Sequence, residues 1–493
     1  MQEKNSLKQK TVSGLFWSFL DLLANQGIRF IIQIVLARLL LPEHFGIIGM
    51  ITVFIAVSQS IIDSGFTNAL IRERDSSQKD YSTVFFFNLF MAVILYIVLF
   101  FSANGISNFF KEPELIYILR VLALVLIINS FGLIQRTMLI KSINFKTQTK
   151  ISIISSILSG GVAIILANLQ FGVWSLVIQI LLMQFIQSLL LCLTNKWVPS
   201  LVFSRDSFKK LFGFGWKLLV SGLINTLYLN IHYVIIGKSF SAIELGYYTN
   251  AQKLRDVASQ SITTAVQKVS YPVLSSIQGE EEKLRSGYKK IIKNSVFITF
   301  PIMLGLAAVA SPLINLLFGA NWQACIPYFQ VLCFAGMLFP LHAVNLNILQ
   351  VKGRTDLFLV LEIIKKLVGV TSIGIVLLFK MGIMGLLWAA VLNSFIAYFI
   401  NSYYSAELLS YSTKEQIKDI IPIFTVSILM ATLVYISGMM VSNNSFVKLV
   451  SQSFVGVIVY VGLSKIARID ELNTIYDLLG LVFKRIRRRS GRV

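Results

Sequence analysis

The sequence predicts an all-α integral membrane fold of 14 transmembrane helices, built as two six-helix lobes around a central cationic cavity with two helices added at the C-terminal end. Three observations predict it. The chain of 493 residues is 56% hydrophobic and 14% charged, with mean hydropathy +0.75, where a soluble globular protein carries about 25% charged residues. The apolar residues fall in continuous runs and not in ten-residue alternations, which excludes a membrane β-barrel. The remaining charge is lopsided, 44 Lys and Arg against 23 Asp and Glu for a net +21. In so apolar a chain this excess reads as loops obeying the positive-inside rule, not as a nucleic-acid surface.

A bilayer core of about 30 Å requires roughly 20 mainly apolar residues per helix. By that measure the spans fall at 12–37, 45–70, 81–104, 115–137, 150–169, 173–195, 213–236, 246–274, 291–318, 325–349, 356–379, 384–404, 420–441 and 446–466. No short apolar segment with a small-residue cleavage site opens the chain, so the first run is expected to stay as a membrane helix. Span 246–274 is the most polar, with Lys253, Arg255, Asp256 and Lys268. It is kept because the charge pattern of the loops requires it. With the N-terminus inside, the inner loops hold Arg72, Arg74 and Lys79; Lys141 and Lys146; Lys196, Arg205, Lys209 and Lys210; Lys283, Arg285, Lys289 and Lys290; Lys352 and Arg354; and Lys414 and Lys418. Outer loops hold isolated cations near Arg38, Lys111, Lys238, Lys380 and Lys448. Removing span 246–274 would invert everything after it. The loops are short, the longest outer one running from Asn104 to Glu114, and leave no room for an inserted soluble domain.

An internal repeat at an offset of about 200 residues supports the same count. Gly14 to Trp17 pairs with Phe214 to Trp216, Phe45-Gly46 with Leu245-Gly246, and Ser58-Gln59-Ser60-Ile61 with Ser259-Gln260-Ser261-Ile262. The offset spans an even number of helices, so the halves share one orientation about an axis along the membrane normal. The expected organisation is an N-terminal lobe over 1–205, a C-terminal lobe over 206–405, two further helices over 406–466, and a cytoplasmic tail over 467–493. In that tail Leu472, Ile475, Tyr476, Leu479, Val482, Phe483 and Ile486 fall at helical spacing before Arg487, Arg488 and Arg489. This reads as an amphipathic helix on the inner leaflet with a polybasic end facing anionic lipid.

Ionisable residues within spans are costly and mark interior pathways. Asp21, Asn25, Arg29 and Gln33 recur every four residues on one face of the first span. The seventh carries Lys217, Ser221, Asn225, Tyr228 and His232, and the second Gln59, Asp63 and Thr67. The eighth adds Asn250, Lys253, Arg255, Asp256, Gln260, Thr264, Gln267 and Lys268. These are the helices that the repeat pairs. If their stripes converge, Arg29, Lys217, Lys253, Arg255 and Lys268 outnumber the acids and suit an anionic cargo such as a pyrophosphate. For each residue the alternative is local: Arg29 balanced by a neighbour, Lys217 and Lys268 reaching to the interface, Asp21, Asp63 and Asp256 as ion-pair members or as sites for a coupling proton or sodium. Glu362 precedes Lys365 and Lys366 at intrahelical ion-pair spacing and admits the same two readings.

No cofactor is expected. The three cysteines, Cys192, Cys325 and Cys333, and the three histidines, His44, His232 and His342, are scattered, which excludes a disulfide framework or a metal site. The chain has no phosphate-binding GxxxxGK[ST] loop, no GxSxG and no HExxH, so neither ATP hydrolysis nor other catalysis is expected.

The run Leu36-Ala-Arg-Leu-Leu-Leu-Pro-Glu-His-Phe-Gly46, the run Ile62-Asp-Ser-Gly-Phe-Thr-Asn-Ala-Leu-Ile71, Asp80-Tyr-Ser-Thr83, and Glu244-Leu-Gly-Tyr-Tyr-Thr-Asn-Ala251 together resemble the polysaccharide transporter family of O-antigen, capsule and colanic-acid flippases. That family lies within the multidrug/oligosaccharidyl-lipid/polysaccharide exporter superfamily. The resemblance runs from Lys8 to about Lys465. It implies a flippase that carries an undecaprenyl-pyrophosphate-linked oligosaccharide across a bacterial cytoplasmic membrane by alternating access, with both termini cytoplasmic. It also implies association with glycan polymerase and chain-length machinery, and no nucleic-acid partner. Arg29 and Arg255 lie on helices that carry cavity arginines in related lipid-linked sugar flippases, matched by helix and approximate depth. A drug/cation antiporter of the same superfamily predicts an acidic cavity. A membrane polymerase or ligase predicts a large outer loop with arginines.

Overall fold

The computed structural model describes residues 26–441, 444–474 and 476; Asp21, Asn25 and the basic end of the tail lie outside them. The described residues are helical with no strand. Their helices are α1 (26–39), α2 (Pro42–Asp63), α3 (Phe66–Arg72), α4 (Gln78–Phe110), α5 (Leu115–Leu122), α6 (Leu124–Lys141), α7 (Phe145–Asn168), α8 (Val173–Asn195), α9 (Arg205–Ser239), α10 (Ala242–Ser276), α11 (Glu281–Ala308), α12 (Ala310–Leu317), α13 (Cys325–Gly336), α14 (Phe339–Val351), α15 (Thr355–Leu378), α16 (Gly382–Leu409), α17 (Thr413–Met440) and α18 (Ser445–Ile466).

Among the described residues, 11 helical segments are long and apolar enough to cross a membrane. In hydrocarbon every backbone polar group must be bonded internally, and a helix does this within one segment. Two further long helices occupy expected spans but carry more charge: α10, of 35 residues, and α15, of 24. Several spans are broken. The second bends between α2 and α3 at Ser64 and Gly65, both at positive φ. The fourth divides at Ala123, the ninth at Val309 and the tenth between Gly336 and Phe339. The expected outer loop from Asn104 to Glu114 is corrected. α4 continues to Phe110 and closes at Lys111 in the left-handed region, so the connection is only 111–114. At its other end, Ser77 and Asp80 cap each other's backbone, which starts the helix at Gln78.

The chain folds as two compact units, Met1–Thr249 and Asn250–Val493. In the first, α2 packs on α4 and α9, α4 on α6, and α8 on both α6 and α7. An aromatic core around Phe66, Leu70, Phe85 and Leu211 closes the end of this unit that carries the basic loops. The α8–α9 linker is fastened to α4. Trp197 Nε1 donates to Gln78 Oε1 (2.6 Å), Gln78 Nε2 to the Val198 carbonyl (2.8 Å), and Ser204 N to Thr83 Oγ1 (3.0 Å).

The tightest approach in the first unit joins the N-terminal turns of α2 and α10. A Cβ on Gly46 would lie 1.7 Å from the carbonyl oxygen of Ala242, and one on Gly246 would lie 1.9 Å from that of Pro42. Both contacts are at backbone, so neither can yield by a side-chain rotation. The two are the same contact made twice, since each residue of one lies 200 positions from its counterpart in the other. The glycines that mark the sequence repeat are therefore those that a reciprocal helix crossing demands.

In the second unit α11 packs on α17, α17 on α18, and α16 on α13, α14 and α15. Polar ties set the register. Tyr288 Oη donates to Asn345 Oδ1 (2.5 Å) and lies 2.9 Å from Ser405 Oγ. Tyr460 Oη donates to the Phe297 carbonyl (2.7 Å), joining α18 to α11. At the end holding the basic residues of α11, Lys289 pairs with Asp419 (2.8 Å), which also accepts from Tyr411 Oη (2.5 Å). Arg285 pairs with Glu415 (3.1 Å), and Lys293 with Glu471 (2.7 Å) just after α18. Burial first, and then the hydrogen bond to Asp419, pushes the Tyr411 hydroxyl well above the ordinary tyrosine range. It therefore remains a donor throughout the working pH range.

Two outcomes are expected. Gly46→Ala and Gly246→Ala should each destabilise the chain by about 1–3 kcal/mol or more, read as a lower Tm in detergent. Gly105→Ala, which meets no neighbour within 4 Å, should melt like wild type. Asp419→Asn should cost about 1–3 kcal/mol through the charge-assisted bonds it removes, seen as a lower Tm that Lys289→Ala does not lower much further in the double variant.

Candidate functional site

The five cations singled out within the spans divide into two kinds. Arg29 on α1, Lys217 on α9, and Lys253 and Lys268 on α10 are exposed. Arg255, also on α10, is 8% exposed. Its guanidinium donates through Nε (2.9 Å) and Nη2 (2.6 Å) to Asp256 Oδ1 and lies 5.1 Å from the centre of the Phe339 ring. Its stem rests on Gly336, where a Cβ would meet Arg255 Cδ at 2.9 Å. Arg255 is thus ion-paired, stacked and packed at once, and only about a tenth of its side chain remains accessible. Arg29 and Lys268 also have interacting neighbours within the fold.

The neutral residues of the stripes follow the helices that carry them. Gln33 on α1 is half-buried, and Asn225 on α9 and Gln260 on α10 are exposed. Thr226 bonds Ser60 (3.0 Å), which ties the middle of α9 to α2 in the first unit. His232 stacks on the ring of Tyr248, with centroids 6.0 Å apart and planes inclined by 21°. The acids hold local partners. Asp63 Oδ1 accepts from the backbone N (3.2 Å) and Oγ1 (2.5 Å) of Thr67, bridging the α2–α3 bend. Asp256 holds Arg255, and Glu362 pairs with Lys365 on α15. On the neighbouring helix α14, His342 Nε2 lies 3.1 Å from Ser394 Oγ of α16. Among the described residues no group of three or more His, Cys, Asp or Glu is placed to hold a metal ion.

Sequence reasoning did not find the acidic partners of α11. Arg285 and Lys289 read as loop charges, yet they lie on a helix and are answered by Glu415 and Asp419 of α17. The four-residue spacing of both pairs was the available signal: each set occupies one face of its helix.

Comparisons with known proteins agree with this architecture. A family model described as "Polysaccharide biosynthesis protein" matches residues 35–327. The chain is 29% identical over 354 residues to the teichuronic acid biosynthesis protein TuaB of Bacillus subtilis, covering 71% of this chain and 73% of that one. It is 26% identical over 337 residues to the succinoglycan biosynthesis transport protein ExoT of Rhizobium meliloti, covering 68% of each. Its fold matches that of the lipid II flippase MurJ in an inward closed conformation, with a TM-score of 0.74 at 16% identity over 92% of this chain and 98% of that one. On the strength of a family match to more than half its length, this chain belongs to the polysaccharide biosynthesis protein family of multi-pass membrane proteins.

Proposed function

We propose that the chain is a flippase that moves an undecaprenyl-pyrophosphate-linked oligosaccharide from the inner to the outer leaflet of a bacterial cytoplasmic membrane. One observation carries the reading: four exposed cations, Arg29, Lys217, Lys253 and Lys268, sit on α1, α9 and α10, helices that the repeat pairs. Charge is costly at membrane depth and is retained where a partner or a pathway uses it. A doubly charged pyrophosphate answers that cost, Arg offering a bidentate fork and Lys a point charge. The relatives are named for teichuronic acid biosynthesis and for succinoglycan biosynthesis transport, which supports a polysaccharide as the class of cargo. The flippase fold supplies a precedent for moving a lipid-linked headgroup.

The proposed flippase has 14 spans in two parallel-related lobes over 1–205 and 206–405, two added helices over 406–466, a polybasic tail over 467–493, and both termini cytoplasmic. The reciprocal Gly46 and Gly246 crossing supports the repeat. The loop charges support the orientation. In this reading Arg255 is a positioning residue, because it is ion-paired to Asp256, lies over the Phe339 ring and keeps only about a tenth of its side chain accessible. The local partners of Asp63, Asp256 and Glu362 favour structural use of these acids over ion coupling. Anionic lipid at the tail, and a glycan polymerase beside the chain, complete the expected partners. A drug/cation antiporter would present carboxylates where this chain presents cations.

Two outcomes follow. Replacing Arg29, Lys217, Lys253 and Lys268 together by Ala should reduce surface glycan at least tenfold in a strain that depends on this chain, with the protein still at normal membrane abundance. Normal glycan from that variant would sink the reading. Asp256→Asn leaves a buried guanidinium unpaired, at a cost of about 3 kcal/mol or more. Its loss of glycan should therefore track a lower Tm and a lower abundance, unlike the four-cation variant.

A further inference from the structure

At the end of the first unit opposite its basic loops, a cavity of about 280 Å³ lies among the start of α2, the α4–α5 connection and the α7–α8 turn. His44, Glu114, Tyr117, Gln170, Phe171 and Trp174 line it. None of these residues belongs to the cationic stripes. Tyr117 and Phe171 are exposed, at 67% and 50%, so two aromatic faces stand open beside polar groups.

The donor and acceptor set is defined by the backbone. His44 Nδ1 accepts from the N–H of Leu41 at 3.3 Å. An accepting Nδ1 puts the proton of the neutral imidazole on Nε2. That Nε2 faces Gly172, where a Cβ would lie 3.2 Å from it; Gly172 has φ +55°, so a side chain there would be both strained and crowded against the ring. The cavity thus offers a donor at His44, a carboxylate acceptor at Glu114, an amide that does both at Gln170, and aromatic faces. A sugar hydroxyl both donates and accepts, and the C–H face of a pyranose lies flat on an aromatic ring. The surroundings are acidic. Glu114 lines the cavity, and Glu43 and Glu112 stand near it, against the single cation Lys111 of the same connection. This acidic excess disfavours a phosphate or a uronate relative to a neutral ring.

We propose that this cavity is a receiving subsite for a neutral pyranose ring of the transported glycan on the outer face of the protein. The inference rests on the flippase reading and on the orientation set by the basic loops. It separates the two ends of one cargo: the cations take the pyrophosphate, and this aromatic and acidic cavity takes the sugar as it arrives outside.

The test uses the full chain in lipid nanodiscs. Tryptophan fluorescence is titrated with methyl glucoside, methyl galactoside and N-acetylglucosamine, and with glucuronate as the anionic control. A saturable response is expected to at least one neutral sugar and not to glucuronate. Its apparent Kd should rise about tenfold in Glu114→Gln and in His44→Ala, as the loss of one hydrogen bond to a charged or oriented group predicts. In cells that depend on this chain, Trp174→Ala and Glu114→Gln at wild-type abundance should lower surface glycan at least fivefold, while Trp174→Phe, which keeps an aromatic face, restores it. No saturable response in the wild-type chain overturns the subsite, as does a response to glucuronate equal to that of the neutral sugars. Sugar binding with normal glycan in both cell variants overturns its role in transport, and marks the aromatic residues as interfacial anchors. A wild-type chain that exports no glycan defeats the flippase reading and the subsite with it.

Discussion

Two helix ends cross at backbone contact, and much of this protein follows from that crossing. The first turns of α2 and α10 approach until Gly46 meets the carbonyl of Ala242 and Gly246 meets that of Pro42. Lipid tails are as apolar as leucine, so helices in a bilayer gain little from burying hydrophobic surface against each other. Close backbone approach and the dispersion it allows must do that work. A crossing this tight excludes every side chain larger than hydrogen at two positions.

The net charge of +21 sorts into groups with different physical uses. One group, in the connections, is expected to set orientation by the positive-inside rule. A second is paired within the fold. Arg285, Lys289 and Lys293 hold α17 and the segment after α18 to α11, and Arg255 is held by Asp256. A third, Arg29, Lys217, Lys253 and Lys268, is exposed on helices expected to lie within the membrane, Arg29 and Lys268 having neighbours within the fold as well. Only this last group is proposed to meet the cargo. The cavity around His44 is its proposed counterpart in chemistry, carrying a carboxylate and aromatic faces where the stripes are basic and polar. A lipid-linked glycan is itself divided in that way between pyrophosphate and sugar.

Much of the fold was legible in the sequence because hydrocarbon thickness leaves a plain mark. Each expected span within the described residues contains a helix, including α10 and α15, whose charge keeps them out of the most apolar class. The breaks were not legible. A run that is apolar on all faces has no periodicity to lose when a helix ends, so Ala123 and Val309 pass unnoticed inside continuous hydrophobic sequence. The length of α4 was missed for the opposite reason: its last turns are polar enough to read as loop, while Lys111 at positive φ marks the real end. Of the candidate site, the stripes could be read from four-residue spacing and Asp256 as a member of an ion pair, but its partner, the adjacent Arg255, could not, since neighbours on a helix do not share a face. The cavity around His44 draws on three connections more than 50 residues apart and has no local signature.

The most direct test of the central claim is transfer itself. The purified chain would be reconstituted into liposomes whose outer leaflet holds an undecaprenyl-pyrophosphate-linked oligosaccharide, and the fraction of glycan protected from an added glycosidase would be followed over time. The wild-type chain should render part of the glycan protected, and the variant lacking Arg29, Lys217, Lys253 and Lys268 should leave it as accessible as in protein-free liposomes. Equal protection by the wild-type chain and by that variant would contradict the claim.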